Sequence, residues 1–245
     1  MGVAGLDDCD PADPPNILFS IHPVDGTRQR MAGRIATDYI LDIVLAHVTW
    51  LDAVQQSQFF DWISGHPWLK SPLGNFYKKF MHVRLTADHA VGPLLCTSTN
   101  GSSLSIPVVP NIVSVSCSLN LSEANQHSLP FYWRPVSRNF TSLDAIICTS
   151  TKILLIQSTV SSKHGINVNG LKNIRDNIPS QFWKDRQCHL IFITPGENGA
   201  IRLSSRTHAA LKDFADVEIY SGIFPIGTST FTSSQLNELR RVSVT

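Results

Sequence analysis

Asp144, Gln157 and Lys163 are the residues whose types and spacing could do chemistry together. Asp144 opens a short apolar run and Gln157 closes the next one, so an antiparallel hairpin would bring them side by side. A carboxylate and a second oxygen ligand can hold Mg²⁺, which prefers oxygen donors. A nearby lysine can orient or deprotonate the attacking water. The pattern indicates metal-assisted phosphodiester cleavage, with Asp144 and Gln157 as metal ligands and Lys163 as a third catalytic residue.

A purely structural role fits the same residues. Asp144 would cap a turn, Gln157 would hydrogen-bond to backbone groups, and Lys163 and His164 would be solvated. Because the Gln157 oxygen is neutral, the site would also hold one negative charge fewer than a pair of acids and bind the ion more weakly. The spacing leaves both interpretations open.

The hairpin that must position these residues is indicated by two apolar, β-branched runs, at 144–147 and 153–156, which are separated by a polar turn. An aromatic, proline-broken stretch at 130–135 precedes the hairpin and is interpreted as a loop. After it, His189 to Thr194 is a continuous apolar run, which is typical of a strand covered on both faces.

The remaining pattern predicts an α/β fold, with a mixed β-sheet flanked by helices and a mostly helical N-terminal third. Residues 96–105 are expected to be an exposed loop. Further elements are predicted as helices at 28–50, 53–64, 75–90, 166–178 and 204–214 and from 232 onward, and as strands within 106–119 and 217–223. Residues 16–22 are either a short strand or a docking segment.

We expect a disordered leader at 1–16 followed by a single domain at 17–245, whose helical part spans about 28–90. The formal net charge of +1 over 245 residues provides no global field that would select a partner. Five scattered cysteines without a CxxC pair signal neither a zinc site nor a disulfide framework. With no targeting segment or membrane-length apolar run, the sequence predicts an intracellular protein without a membrane partner.

Charge is unevenly distributed along the chain. Between Arg134 and Leu190, eight lysines and arginines stand against three aspartates. A locally basic face suits a polyanion such as DNA, although a solvated surface has the same composition. The candidate nucleic-acid contacts in this stretch are Arg134, Arg138, His164 and Lys172.

Several motifs in order resemble the C-terminal region of the Crinkler and retrotransposon-hot-spot proteins. The later strand that ends at Pro195, and an upstream helix with the sequence GNFYKKFMH, resemble further family segments. The motifs lie at 132–135, 139–144, 156–166 and 170–171, and the resemblance covers roughly 36–195.

The resemblance implies a restriction-endonuclease-like fold of the PD-(D/E)xK type, in an effector or selfish-element protein that acts in nuclei. It matches Asp144 with the metal-binding acid and Gln157 with the second acid. In many family members this region follows a P-loop ATPase. This chain has no P-loop motif, so an ATPase would have to come from a partner protein.

The chain departs from the family at Lys78, where the family helix carries a glutamate, and at Thr159, where the PD-(D/E)xK pattern has lysine. A lysine would repel the ion that a glutamate helps to hold. Two functions therefore stay open: a DNA-binding module that cuts with Mg²⁺, or a catalytically inactive module of the same fold that serves protein–protein interaction.

Overall fold

The structure is a computed structural model. It describes residues 19–24, 31–35, 37–50, 53–66, 69–86, 92–98, 100–115, 127–135, 143–161, 166–177, 183–196 and 217–224. Its contacts divide the chain into two compact units, Met1–Phe76 with Gly227–Thr245, and Tyr77–Ile226. The single domain predicted over 17–245 spans both units and stays a prediction.

The first unit contains an antiparallel hairpin of β1 (Phe19–Pro23) and β2 (Met31–Ile35), then α1 (Asp38–Trp50), α2 (Ala53–Ser64) and the start of α3 (Lys70–Thr86). Thr37 caps α1, since its Oγ1 accepts a 3.2 Å hydrogen bond from the Ile40 amide. The helix predicted from residue 28 is wrong in its first part, because β2 pairs with β1 there.

In the part of the second unit that the structure describes, eight strands form one mixed sheet. Its strands in chain order are β3 (Leu94–Ser98), β4 (Ser103–Ile106), β5 (Ile112–Val115), β6 (Phe131–Pro135), β7 (Ala145–Cys148), β8 (Lys152–Ser158), β9 (Gln187–Thr194) and β10 (Glu218–Ile223). Their order across the sheet is β4-β3-β10-β9-β8-β7-β6-β5. This confirms the predicted α/β class with a large mixed sheet.

Strands β8, β9 and β10 are parallel, so their last residues lie at the same end of the sheet. These residues are Ser158, Thr194 and Ile223. Strands β7 and β8 form the predicted antiparallel hairpin, with Ala145 opposite Ile156. In α/β sheets, ligands bind at the carboxyl ends of parallel strands. A site is therefore expected at the end of the sheet where β8 finishes with Ser158.

Helices cover both faces of this sheet. On one face, α4 (Val168–Asn177) buries Leu171 and Ile174 against a cluster that includes Leu155 and Phe192. On the other face, the second half of α3 presents Tyr77, Met81 and Leu85, spaced four residues apart and buried almost completely. The Tyr77 hydroxyl donates a 3.1 Å hydrogen bond to the Phe224 carbonyl and so ties α3 to the end of β10.

Two segments predicted as loops are strands. The aromatic stretch 131–135 is β6, whose Phe131, Tyr132 and Trp133 are buried between β5 and β7. Residues 96–105 belong largely to the β3–β4 hairpin, where buried and exposed residues alternate along each strand. Gly101 has φ +85° in the turn between them, a conformation that favours glycine. The helices predicted at 204–214 and from 232 lie outside the described residues.

Candidate functional site

Asp144 lies at the mouth of the β7–β8 hairpin. Its amide donates a 2.8 Å hydrogen bond to the Ile156 carbonyl, which extends the ladder one residue beyond β7. Its Oδ2 accepts 2.7 Å hydrogen bonds from both the backbone amide and the hydroxyl of Ser158. The last residue of β8 therefore fixes the direction of the carboxylate.

The other carboxylate oxygen is held from α3. Lys78 Nζ lies 2.7 Å from Asp144 Oδ1, and the two side chains are 30% and 15% exposed. Burial alone would raise the pKa of Asp144, but the Lys78 charge and the hydrogen bonds from Lys78 and Ser158 outweigh burial and lower it. Asp144 is thus an ionised carboxylate whose two oxygens are both engaged.

A neutral pair lies beneath this ion pair. The His82 Nδ1 and the Tyr132 hydroxyl are 2.5 Å apart, and both side chains are buried. Burial, and then the Lys78 charge, lowers the pKa of His82 to about 3 against the opposing effect of Asp144. Burial likewise raises the pKa of Tyr132. The floor of the site therefore carries no charge at neutral pH.

Two more cations, Lys79 and Arg134, lie close enough to His82 for their charges to affect its pKa. Lys79 is half-buried, and burial together with the charge of Arg134 lowers its pKa to about 8. Arg134 follows Trp133 on β6, so it alternates to the same face as Tyr132 and is also half-buried. Its charge also lowers the pKa of His82, as the charge of Lys79 does. The charges of Lys78, Lys79 and Arg134 therefore all act on His82, and we call these three cations the cation cluster.

Gln157 does not join this cluster. Side chains alternate along β8, and Ser158 is the residue that reaches Asp144, so Gln157 points to the opposite face. That face carries Leu155 in the core beneath α4. The structure therefore brings Asp144 together with Ser158 and Lys78 rather than with Gln157, which is buried.

The other predicted site residues are spread out. Lys172 is on α4, the helix on the far face of the sheet from Lys78, and is partly exposed. Arg134 is the one predicted nucleic-acid contact that the described part of the chain places near Asp144. Lys163, His164 and Arg138 lie outside the described residues.

Within the described residues, the side chains that contact Asp144 are Lys78 and Ser158 rather than further carboxylates. Within the described ranges, no three His, Cys, Asp or Glu side chains converge in a way that could hold a metal ion. Mg²⁺ needs several oxygen ligands, and here Lys78 and Ser158 already occupy the carboxylate oxygens. An ion at Asp144 would compete with Lys78 and Ser158 for the same carboxylate oxygens.

Sequence reasoning missed Ser158, Lys79 and the pairing of His82 with Tyr132. One local signal was present: Lys78 and His82 are four residues apart, so on a helix they share a face. The partners of both come from strands more than 45 residues further along the chain, and no local pattern identifies them.

Comparison with protein-family models, with characterised proteins and with solved structures finds no match to this chain. None of the described helices has the length and apolar character needed to cross a membrane.

Proposed function

We propose that this chain is a nucleic-acid-binding module whose cation cluster contacts phosphate directly, within the restriction-endonuclease-like fold that the family resemblance implies. The observation that carries the proposal is the ion pair between Lys78 and Asp144. It places a lysine on the carboxylate that the resemblance matches with a metal-binding acid. The positive charge that a metal would supply is then supplied by the protein itself.

The electrostatics support binding of an anion. Burial lowers the pKa of Lys79 most and repulsion by the charge of Arg134 lowers it further, while Lys78 is paired with Asp144. A phosphate between them would relieve this repulsion, and lysine and arginine are the side chains that bind phosphate in proteins. The cluster lies near the end of β8, where ligands bind in α/β sheets.

A Mg²⁺-dependent DNA nuclease is the second candidate. The observation that favours it is that Asp144 stays ionised despite its burial, as a metal ligand must. The position of Lys78 counts against it, because the ion and the ammonium group would compete for the same oxygen.

Fluorescence anisotropy with labelled single-stranded and duplex DNA tests binding. We expect an affinity that falls with salt, because each phosphate neutralised on a single strand changes the slope of log K against log[salt] by about 0.7. Lys79→Gln and Arg134→Gln should each weaken binding and reduce that slope. Lys184→Gln is the matched control, since Lys184 is an exposed lysine that precedes β9.

Plasmid cleavage with Mg²⁺ and with Mn²⁺ separates the two candidates. Binding without cleavage by the wild type supports the metal-independent module. Cleavage that Asp144→Ala abolishes would establish the nuclease instead. Failure of the wild type to bind any DNA would exclude both and leave an interaction module, with a partner protein such as one that carries an ATPase.

A further inference from the structure

Arg84 is a buried cation at the end of α3 that the site around Asp144 does not use. It lies in the last turn of the helix and is 8% exposed. Its Nη2 donates a 2.5 Å hydrogen bond to the Gly92 carbonyl, and its guanidinium carbon lies 6.0 Å from the centre of the Phe224 ring. These contacts join the end of α3 to the chain before β3 and to the residue that follows β10.

The other terminal nitrogen of this guanidinium makes no such contact. Among the residues that the structure describes, Arg84 Nη1 is buried without a hydrogen-bond partner, and no carboxylate forms an ion pair with Arg84. Arginine keeps its charge in proteins, and a buried charge is normally paired. Attraction by the carbonyls at the helix end and by an aromatic ring is weaker than the cost of taking a charge out of water. The structural contacts of Nη2 therefore do not account for the burial of Nη1.

The charge and shape of the guanidinium select a class of anion. Its planar fork matches the two oxygens of a carboxylate, whose single negative charge balances the single charge of Arg84. A phosphate monoester carries about 1.5 to 2 negative charges at neutral pH and would leave an excess charge in a buried place. An internal phosphodiester carries one charge, but the strand continues on both sides of it and does not fit a covered site. A carboxylate fits best.

We propose that Arg84 anchors a second site, which binds the carboxylate group of a small organic acid near the end of β10. Nη1 would donate to the carboxylate while Nη2 keeps its hydrogen bond to Gly92. Strand β10 is parallel to β9, and ligands of α/β sheets bind at the carboxyl ends of parallel strands. The site is independent of the proposed function, because Arg84 does not belong to the cation cluster.

The burial of Nη1 determines how such a ligand binds. The anion reaches this nitrogen only when the atoms that cover it move, and the cost of that movement lowers the apparent affinity. Once bound, the carboxylate is shielded from water, where a hydrogen bond between charged groups is stronger. Binding should therefore be specific for an anion that can enter end-on.

Titration of the ¹⁵N-labelled protein with sodium benzoate at constant ionic strength, followed by NMR, tests the site. We expect saturable shifts of the Arg84 side-chain Nε–Hε resonance and of the Gly92 and Phe224 amide resonances. Acetate should shift the same resonances, and phenyl phosphate should bind less tightly than benzoate because of its second charge. Sodium chloride at the same ionic strength should produce none of these shifts.

Two substitutions separate binding from a structural role. Arg84→Lys keeps the charge without the planar fork, so the affinity for benzoate should fall at least about tenfold, the effect of one lost hydrogen bond between charged groups. Arg84→Gln should abolish saturable binding. Arg186→Lys is the matched control and should bind like the wild type, because Arg186 is also partly buried and donates to a backbone carbonyl, that of Thr149.

Three outcomes would overturn the inference. The first is shifts that do not saturate or that occur only at other residues, which would indicate an adventitious additive only. The second is tighter binding of phenyl phosphate than of benzoate, and the third is undiminished benzoate binding by Arg84→Lys. If Arg84→Gln does not fold, the wild type and Arg84→Lys still decide. Lys79→Gln should leave benzoate binding unchanged, so failure of the proposed function is distinguishable from failure of this site.

Discussion

The ammonium group of Lys78 and the carboxylate of Asp144 meet at 2.7 Å, although 66 residues separate them in the chain. Lys78 is on α3 and Asp144 is at the mouth of the β7–β8 hairpin, so this contact joins a helix to the edge of the sheet that it covers. Ser158 binds the second oxygen of the same carboxylate. The pair is therefore a fixed arrangement rather than a chance encounter of surface charges.

Removal of Lys78 should destabilise the protein. In Lys78→Met the mostly buried Asp144 carboxylate keeps only its hydrogen bonds from Ser158, and we expect a loss of about 2 kcal/mol in the free energy of unfolding at neutral pH. Urea denaturation measures this loss. Asp176→Asn is the control, because it removes the exposed ion pair with Arg175 and should change stability by less than about 0.5 kcal/mol. Equal effects of the two substitutions would contradict the prediction.

The buried His82 should make stability depend on pH. Its pKa of about 3 in the folded protein lies below the value of about 6.5 in the unfolded chain. The unfolded state therefore takes up the proton first as pH falls, and the free energy of unfolding should decrease by about 1.4 kcal/mol per pH unit between these values. Below about pH 4 the lowered pKa of Asp144 adds a loss of the same sign.

Urea denaturation of the wild type and His82→Gln between about pH 4.5 and 6.5 measures this dependence. The slope should flatten in His82→Gln. Tyr132→Phe is the matched control, since it removes the hydroxyl that contacts His82 but leaves the imidazole buried, so the slope should remain. A wild-type stability that is constant over this range would show that His82 is not held neutral by the fold.

We expect that Mn²⁺ does not bind at Asp144 in the wild type and that it does bind there in Lys78→Glu. Mn²⁺ should not change the thermal midpoint of the wild type, because Lys78 occupies the carboxylate oxygen. Lys78→Glu would place two carboxylates together, and we expect Mn²⁺ to stabilise this variant by about 1 kcal/mol once it exceeds its dissociation constant about fivefold.

Lys78→Met controls for this prediction, because it removes the ammonium group without adding an oxygen ligand. A rise in the midpoint of the wild type with Mn²⁺ that Asp144→Asn abolishes would show instead that the ion displaces Lys78. That outcome would favour the nuclease.

The β7–β8 hairpin was predictable because its signals are local: two β-branched runs on either side of a polar turn. Strand β6 was not predictable, since Pro130 before it and Pro135 at its end suggest a loop, and its burial depends on β5 and β7 on either side. The local signals of the hairpin also predict that Asp144 and Gln157 lie close together in the two strands. They do not predict that the two side chains point to opposite faces of the sheet. That difference depends on the local bend at Asp144, which turns its carboxylate towards Ser158 and α3.

Packing between β10 and β3 gives a further test. Gly222 pairs with Cys96, and a Cβ at residue 222 would lie 2.5 Å from the Cys96 sulfur. Gly222→Ala should therefore destabilise the protein by about 1–3 kcal/mol, the usual cost of overpacking. The double variant with Cys96→Ala should recover part of this loss, whereas Gly196→Ala, where a Cβ meets nothing within 4 Å, should have little effect. Failure of Cys96→Ala to rescue would locate the strain elsewhere.

Strand β10 lies between β3 and β9 in the sheet although, among the described strands, it comes last in the sequence. During translation, more than 110 residues must be synthesised after the β3–β4 hairpin before its neighbour β10 is complete enough to pair with β3. Until then the inner edge of β3 and the outer edge of β9 would both present unpaired backbone groups, which other chains can bind. Nascent chains stalled before residue 218 should therefore depend on chaperones, and arrival of β10 should end that dependence.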